Sequence, residues 1–111
     1  MIKIVGRTTD GKDVVAGVYR FFETVGLPLD IVFDELRNRN AIPSWLHFYS
    51  EAQAAGLSHD RIISKLEEAV LDCYGAEFCR VVCETLEIRH KLTLFRRNSW
   101  LAINGSRRIT T

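Results

Sequence analysis

Cys79, Cys83 and His90 are spaced i, i+4, i+11, so on a helix two thiols and an imidazole stay near one stripe, with Cys73 able to approach from the preceding helix. Thiolate and imidazole are ligands for a tetrahedral zinc ion. The chain has none of the short Cys-x-x-Cys knuckles that bend backbone around such an ion, and its cysteines fall on apolar stripes beside Val70, Val82 and Leu86. Free cysteine is among the most buried residue types, so the expectation is core packing, with no metal and no cofactor. Cys79 and Cys83 are poorly oriented for a disulfide within one helix. Three clustered cysteines suit reduced thiols in a cytoplasmic protein better than a secreted disulfide framework.

Acid and base chemistry finds little footing. His47, His59 and His90 are spread over three predicted elements, with no serine or cysteine nucleophile motif beside any of them. The carboxylate pairs Asp30/Asp34 and Glu84/Glu87 share helical faces, but Arg37 follows Asp34 by three residues and Lys91 follows Glu87 by four, the spacing of solvated charge ladders. A non-enzymatic protein is expected.

Two short motifs invite more specific readings. Gly6-Arg7-Thr8-Thr9-Asp10-Gly11-Lys12-Asp13 resembles the phosphate-binding GxxxxGK[ST] loop of nucleoside-triphosphate hydrolases, and Ile31-Val32-Phe33-Asp34-Glu35 resembles their magnesium-holding acid run. Asp13, however, stands where the metal-binding hydroxyl belongs and would set a carboxylate against polyphosphate. The acid run has helical rather than strand periodicity, and the chain lacks the alternating strands and helices of a parallel sheet. A strand, a Thr/Asp/Gly turn and a helix cap account for the same residues.

Ala52-x-x-x-Gly56-Leu57-Ser58-x-x-x-Ile62 resembles the centre of a helix-turn-helix, which would make His59, Arg61, Ser64 and Lys65 the groove-facing set. Against it, Glu51 occupies a position that motif keeps apolar and Lys65 one that it buries, while Glu67, Glu68 and Asp72 on the same helix would repel phosphate. A helical hairpin capped by Gly56 and Ser58 explains the pattern without DNA.

The clearest signal is electrostatic. All fourteen carboxylates lie between Asp10 and Glu87, so residues 1–88 form an acidic body with nine cations, while residues 89–111 carry six cations and no acid. The net charge of +1 hides this division. Arg89, Lys91, Arg96, Arg97, Arg107 and Arg108, interleaved with Phe95 and Trp100, combine charge for phosphates with rings that can stack on bases. Nucleic-acid binding by a small regulatory protein is therefore the first expectation. The alternative is a protein-interaction module in which the basic segment pairs with an acidic protein surface, either another protein's or that of a second copy in a homodimer. Asp30, Asp34, Glu35, Glu67 and Glu68 offer such a surface.

The elements that must position these residues are mainly helical. Ile2 to Val5 form a short strand, and Val14, Val18, Phe22 and Val25 follow at helical spacing behind a cap at Asp10, ending at Gly26. A second helix opens at Pro28 with Leu29, Val32, Phe33 and Leu36; a third opens at Pro43 with Trp45, Phe48, Tyr49, Ala52 and Ala55. Helical spacing makes those aromatics core rather than interface. Ser58 caps a fourth helix that ends at Gly75, and a fifth starts at Ala76 with an apolar arc wide enough to place it centrally.

Beyond Ile88 the pattern fits either a strand or a continuing helix, and Asn104-Gly105 between Trp100-Leu101-Ala102-Ile103 and Ser106-Arg107-Arg108-Ile109 predicts a hairpin. The sum is one domain over residues 1–111, a bundle of about five helices with a minor β element made of the N-terminal strand and the C-terminal hairpin. At 111 residues and 47% apolar content it can bury a core of its own. Neither a signal-peptide core nor a membrane span is expected.

Overall fold

A computed structural model describes the backbone of residues 2–110 and the side chains of residues 2–96. In chain order the elements are β1 (Lys3–Arg7), β2 (Asp13–Ala16), α1 (Val18–Val25), α2 (Leu29–Asn38), β3 (Ala41–Pro43), α3 (Trp45–Ala54), α4 (His59–Tyr74) and α5 (Ala76–Thr110). The fold is mainly helical with a small three-stranded sheet, ordered β1-β2-β3. β1 pairs antiparallel with β2 across an irregularity between Ile4 and Gly6, and β2 pairs in parallel with β3.

Two expectations are corrected. The helix predicted from Asp10 to Gly26 is split: Val14 and Val15 belong to a strand, and the helix starts only at Val18. β-branched residues suit a pleated, half-buried surface, and here β1 and β3 flank them on both sides. Gly17, with φ 88, turns the chain out of the strand and into α1. The second correction concerns the C-terminal hairpin, because α5 continues through Asn104-Gly105. A two-stranded hairpin with no sheet to join is marginal, whereas an established helix extends one residue at a time without a new nucleus. The minor β element therefore lies wholly between Lys3 and Pro43.

The remaining helices lie close to their predicted positions. Ser44 rather than Pro43 starts α3, its hydroxyl accepting from the His47 amide. Ser58 caps α4 through the Arg61 amide. The core is aromatic at one end and aliphatic at the other. Phe33, fully buried, meets Trp45 edge-on at 5.4 Å between ring centroids, and Phe48 at 6.1 Å. Ile62, Leu66, Val70 and Leu86 close the α4/α5 side without exposure. Phe48 and Tyr49 are core residues, as their spacing required.

Glu51, out of place in a helix-turn-helix, caps α1 from a distance. Its carboxylate accepts from the Gly17 amide at 2.8 Å and from the Arg20 amide at 3.4 Å. The first amides of a helix have no partner within it and carry partial positive charge, so a carboxylate there satisfies donors and dipole together.

α4 and α5 are joined by Gly75 alone, with φ 90. The 16 residues of α4 can cover only the first 16 or so of α5 at equal rise, which brings the start of α4 level with residues 90 and 91. The stacked rings of His59 and His90 mark that level. Past it α5 runs on without α4 beside it, and the molecule measures 60 × 29 × 24 Å. Its radius of gyration, 16.9 Å, exceeds the roughly 13 Å of a compact chain this long. We call the stretch of α5 beyond His90 the arm. Among the described residues no helix is long and apolar enough to cross a membrane.

Candidate functional site

The root of the arm is a polar cluster contributed by three helices. Tyr49 of α3 places its hydroxyl 2.7 Å from His59 Nδ1 and 3.4 Å from His90 Nδ1. His59 Nε2 lies 2.6 Å from the Glu87 carboxylate, and the two imidazoles stack at 3.9 Å with planes 9° apart. One proton arrangement satisfies the central contacts: His59 donates from Nε2 to Glu87, and Nδ1 accepts the Tyr49 O–H. The His59 side chain is only 11% exposed, so these bonds fix it between α3 and α5.

This geometry superficially matches a nucleophile, a base and an orienting acid, but the electrostatics run the other way. Burial pushes the Tyr49 phenol above its ordinary pKa and the Glu87 charge adds to this, with Arg89 opposing. A nucleophilic or basic phenol needs the opposite shift. The thiols are equally unprimed: burial and Cys79 push Cys83 up to about 12, and burial with Asp34 and Asp30 raises Cys73. Cys79 is buried and points its thiol at the Glu67 carbonyl, 3.6 Å away. His90, once considered with it as a zinc ligand, belongs to the imidazole stack instead.

The hydrogen bond from His59 holds the Glu87 carboxyl below its ordinary value of 4.5, with smaller help from Lys91 and His90. A carboxyl whose pKa falls on folding contributes stability above its unfolded value, and this is lost as pH drops through the folded one. The stability difference between the wild type and Glu87→Gln, followed by urea unfolding at stepped pH, is thus expected to be widest above pH 4.5 and to close below it. A difference that stays constant into strong acid would contradict the role given to this bond.

α5 carries an apolar stripe turned away from the core, which runs past the root and onto the arm. Val81, Ile88, Leu92 and Phe95 are 48%, 60%, 50% and 67% exposed, and at 100° per residue they fall within about 60° of one another. Cys79, Val82 and Leu86 occupy the opposite, buried side. Arg89 and Arg96 flank the stripe on one side and Lys91 on the other, all exposed. Among the described residues no ion pair joins these three cations to α2 or α4. The side chains of Arg97, Trp100, Arg107 and Arg108 lie outside the described residues.

Of the residues once grouped as groove-facing, Arg61, Ser64 and Lys65 are exposed on α4, whereas His59 is turned inward to the root cluster. The Lys65 ammonium sits 5.7 Å from the centroid of the Phe22 ring. Between them runs a groove of about 270 Å3, with Phe22, Leu29 and Ala69 as apolar lining and Asp30, Glu68 and Asp72 as acids. No protein family, curated protein or solved structure matches this chain.

Proposed function

We propose that this is a non-enzymatic interaction protein whose working surface is the exposed face of α5 from Ile88 onto the arm, and that this face associates with an acidic protein surface supplied by a second copy of the chain. The observation that carries this reading is the exposed stripe Ile88, Leu92 and Phe95 lying between Arg89, Arg96 and Lys91. A contiguous apolar stripe on a projecting helix marks an association site, and flanking cations select an acidic partner. The body supplies matching chemistry in the groove of Phe22, Leu29 and Ala69 edged by Asp30, Glu68 and Asp72.

Nucleic-acid binding is the second reading, favoured by the arginine-rich composition of residues 89–111. It accounts for the cations but leaves the stripe uncovered. The two readings part cleanly in experiment. Light scattering on the full chain is expected to give a dimer mass that Ile88→Ser/Leu92→Ser/Phe95→Ser reduces to a monomer while circular dichroism is unchanged. A wild type that stays monomeric at high protein concentration would sink self-association. Salt-sensitive binding to duplex or single-stranded DNA that survives the serine triple variant, but is abolished by Arg96→Glu/Arg97→Glu, would establish the nucleic-acid reading instead.

A further inference from the structure

Toward the end of α4 opposite the root cluster, the turn between β1 and β2 brings Lys12 to a cavity of about 280 Å3. Arg37 and Asn38 of α2, Asn40 before β3 and Tyr74 at the end of α4 complete the donor set, with Asp34 as the one carboxylate in the lining. Three features set this cavity apart. The Tyr74 hydroxyl is buried and has no hydrogen-bond partner among the described residues, a condition that costs roughly 1–3 kcal/mol. The ring packs against Phe78 at 5.0 Å, Trp45 at 5.9 Å and Phe33 at 6.2 Å.

Asn40 holds a left-handed backbone, φ 57, rare for a residue with a side chain. It is kept there because its carbonyl accepts from the Asp13 amide at 3.1 Å and its side-chain amide reaches the Gly11 carbonyl at 3.3 Å. That fixes the β1–β2 turn against α2. Finally, the cations are incompletely used. Among the described residues Lys12 pairs with Asp10 alone, at 3.9 Å, and Arg37 spends one nitrogen on the Cys73 carbonyl, approaches Asp34 at 3.9 Å and lies 5.7 Å from the centroid of the Tyr74 ring.

We propose that this cavity binds a small phosphate monoester. Five residues with donor side chains line it, and two of them are cations from different elements. A carboxylate offers two oxygens and one charge, whereas a phosphate monoester offers three terminal oxygens and close to two charges, which suits such a donor set better. Asp34 is then the acceptor for a hydroxyl on the organic part. The volume, at the small end of ligand pockets, limits that part to a few carbons. The site is separate from the arm, and the reading given to the arm does not bear on it. It is also no nucleotide-hydrolase loop, since Lys12 is followed by a strand rather than a helix.

Titration calorimetry of the full chain with glycerol 3-phosphate, and with acetate and glycerol as controls, tests the assignment. Saturable binding of glycerol 3-phosphate is expected, competed by inorganic phosphate. Lys12→Ala, at an exposed position with no core contact, should weaken it about tenfold or more, the loss typical of a charge-assisted bond. Tyr74→Phe should weaken it about threefold to tenfold while leaving the unliganded melting temperature equal or higher, because the hydroxyl it removes has no partner among the described residues. Absence of saturable heat, affinity unchanged in both variants, or acetate binding as tightly as glycerol 3-phosphate would each overturn the proposal.

Discussion

Phe33→Ala is expected to remove a large share of the folding stability. The ring is fully buried where α2, α3 and the end of α4 meet, with Trp45, Phe48 and Tyr74 all within 6.2 Å of its centroid. Truncating a buried phenylalanine costs about 3–5 kcal/mol, through lost transfer energy and a cavity that stiff neighbours cannot fill. Domains of this size hold about 5–15 kcal/mol in total. Urea unfolding followed by circular dichroism should show the midpoint falling by about 1 M or more. A loss under 1 kcal/mol would mean that the aromatic cluster is not the centre of the core.

Leu86→Ala should have the next largest effect, about 2–5 kcal/mol. Leu86 is the last fully buried side chain of α5 before the arm leaves the body, one residue from Glu87 in the root cluster. Removing it loosens the seat of that cluster as well as the α4/α5 contact. The control is Ile88→Ala two residues on, where a 60% exposed side chain should change stability by no more than about 0.5 kcal/mol. At protein concentrations low enough for a monomer the same pair distinguishes stability from association: Leu86→Ala should lower the unfolding midpoint, and Ile88→Ala should leave it in place. Equal effects at the two positions would show that the apolar stripe is packed.

The legible parts of this fold are those where local signals agree. α4 shows this best, for Ser58 caps it, Ile62, Leu66, Ala69 and Val70 repeat at helical spacing, and Gly75 ends it. β2 was hidden because Val14, Val18 and Phe22 fit a helix equally well, and only pairing with β1 and with the distant β3 decides the matter. At the C-terminus, the Asn104-Gly105 signal is strong but local, and no strand stands nearby to reward it.

The root cluster could not be read from residue types, since its histidines are far apart in sequence and have no motif around them. One signal was present nonetheless: His59 and His90 lie at nearly equal distances on either side of Gly75, so a tight antiparallel hairpin brings them level. Glu51 needed the fold outright, because a carboxylate that caps a helix 31 to 34 residues earlier leaves no trace in spacing. The basic segment was legible as charge, whereas the stripe lying between its cations required knowing that α5 continues.

The sheet's outer strand bears on what this protein avoids. All five residues of β1 are exposed, and its far side offers free amides and carbonyls to any passing chain. Lys3 and Arg7 stand at its two ends, and the irregularity between Ile4 and Gly6 breaks the even spacing that an incoming strand would need. At the opposite edge β3 has three residues, one of them Pro43 with no amide to donate. A concentrated solution of this protein should therefore resist growth into fibrils through its sheet, even though Ile2, Ile4 and Val5 are apolar and uncovered.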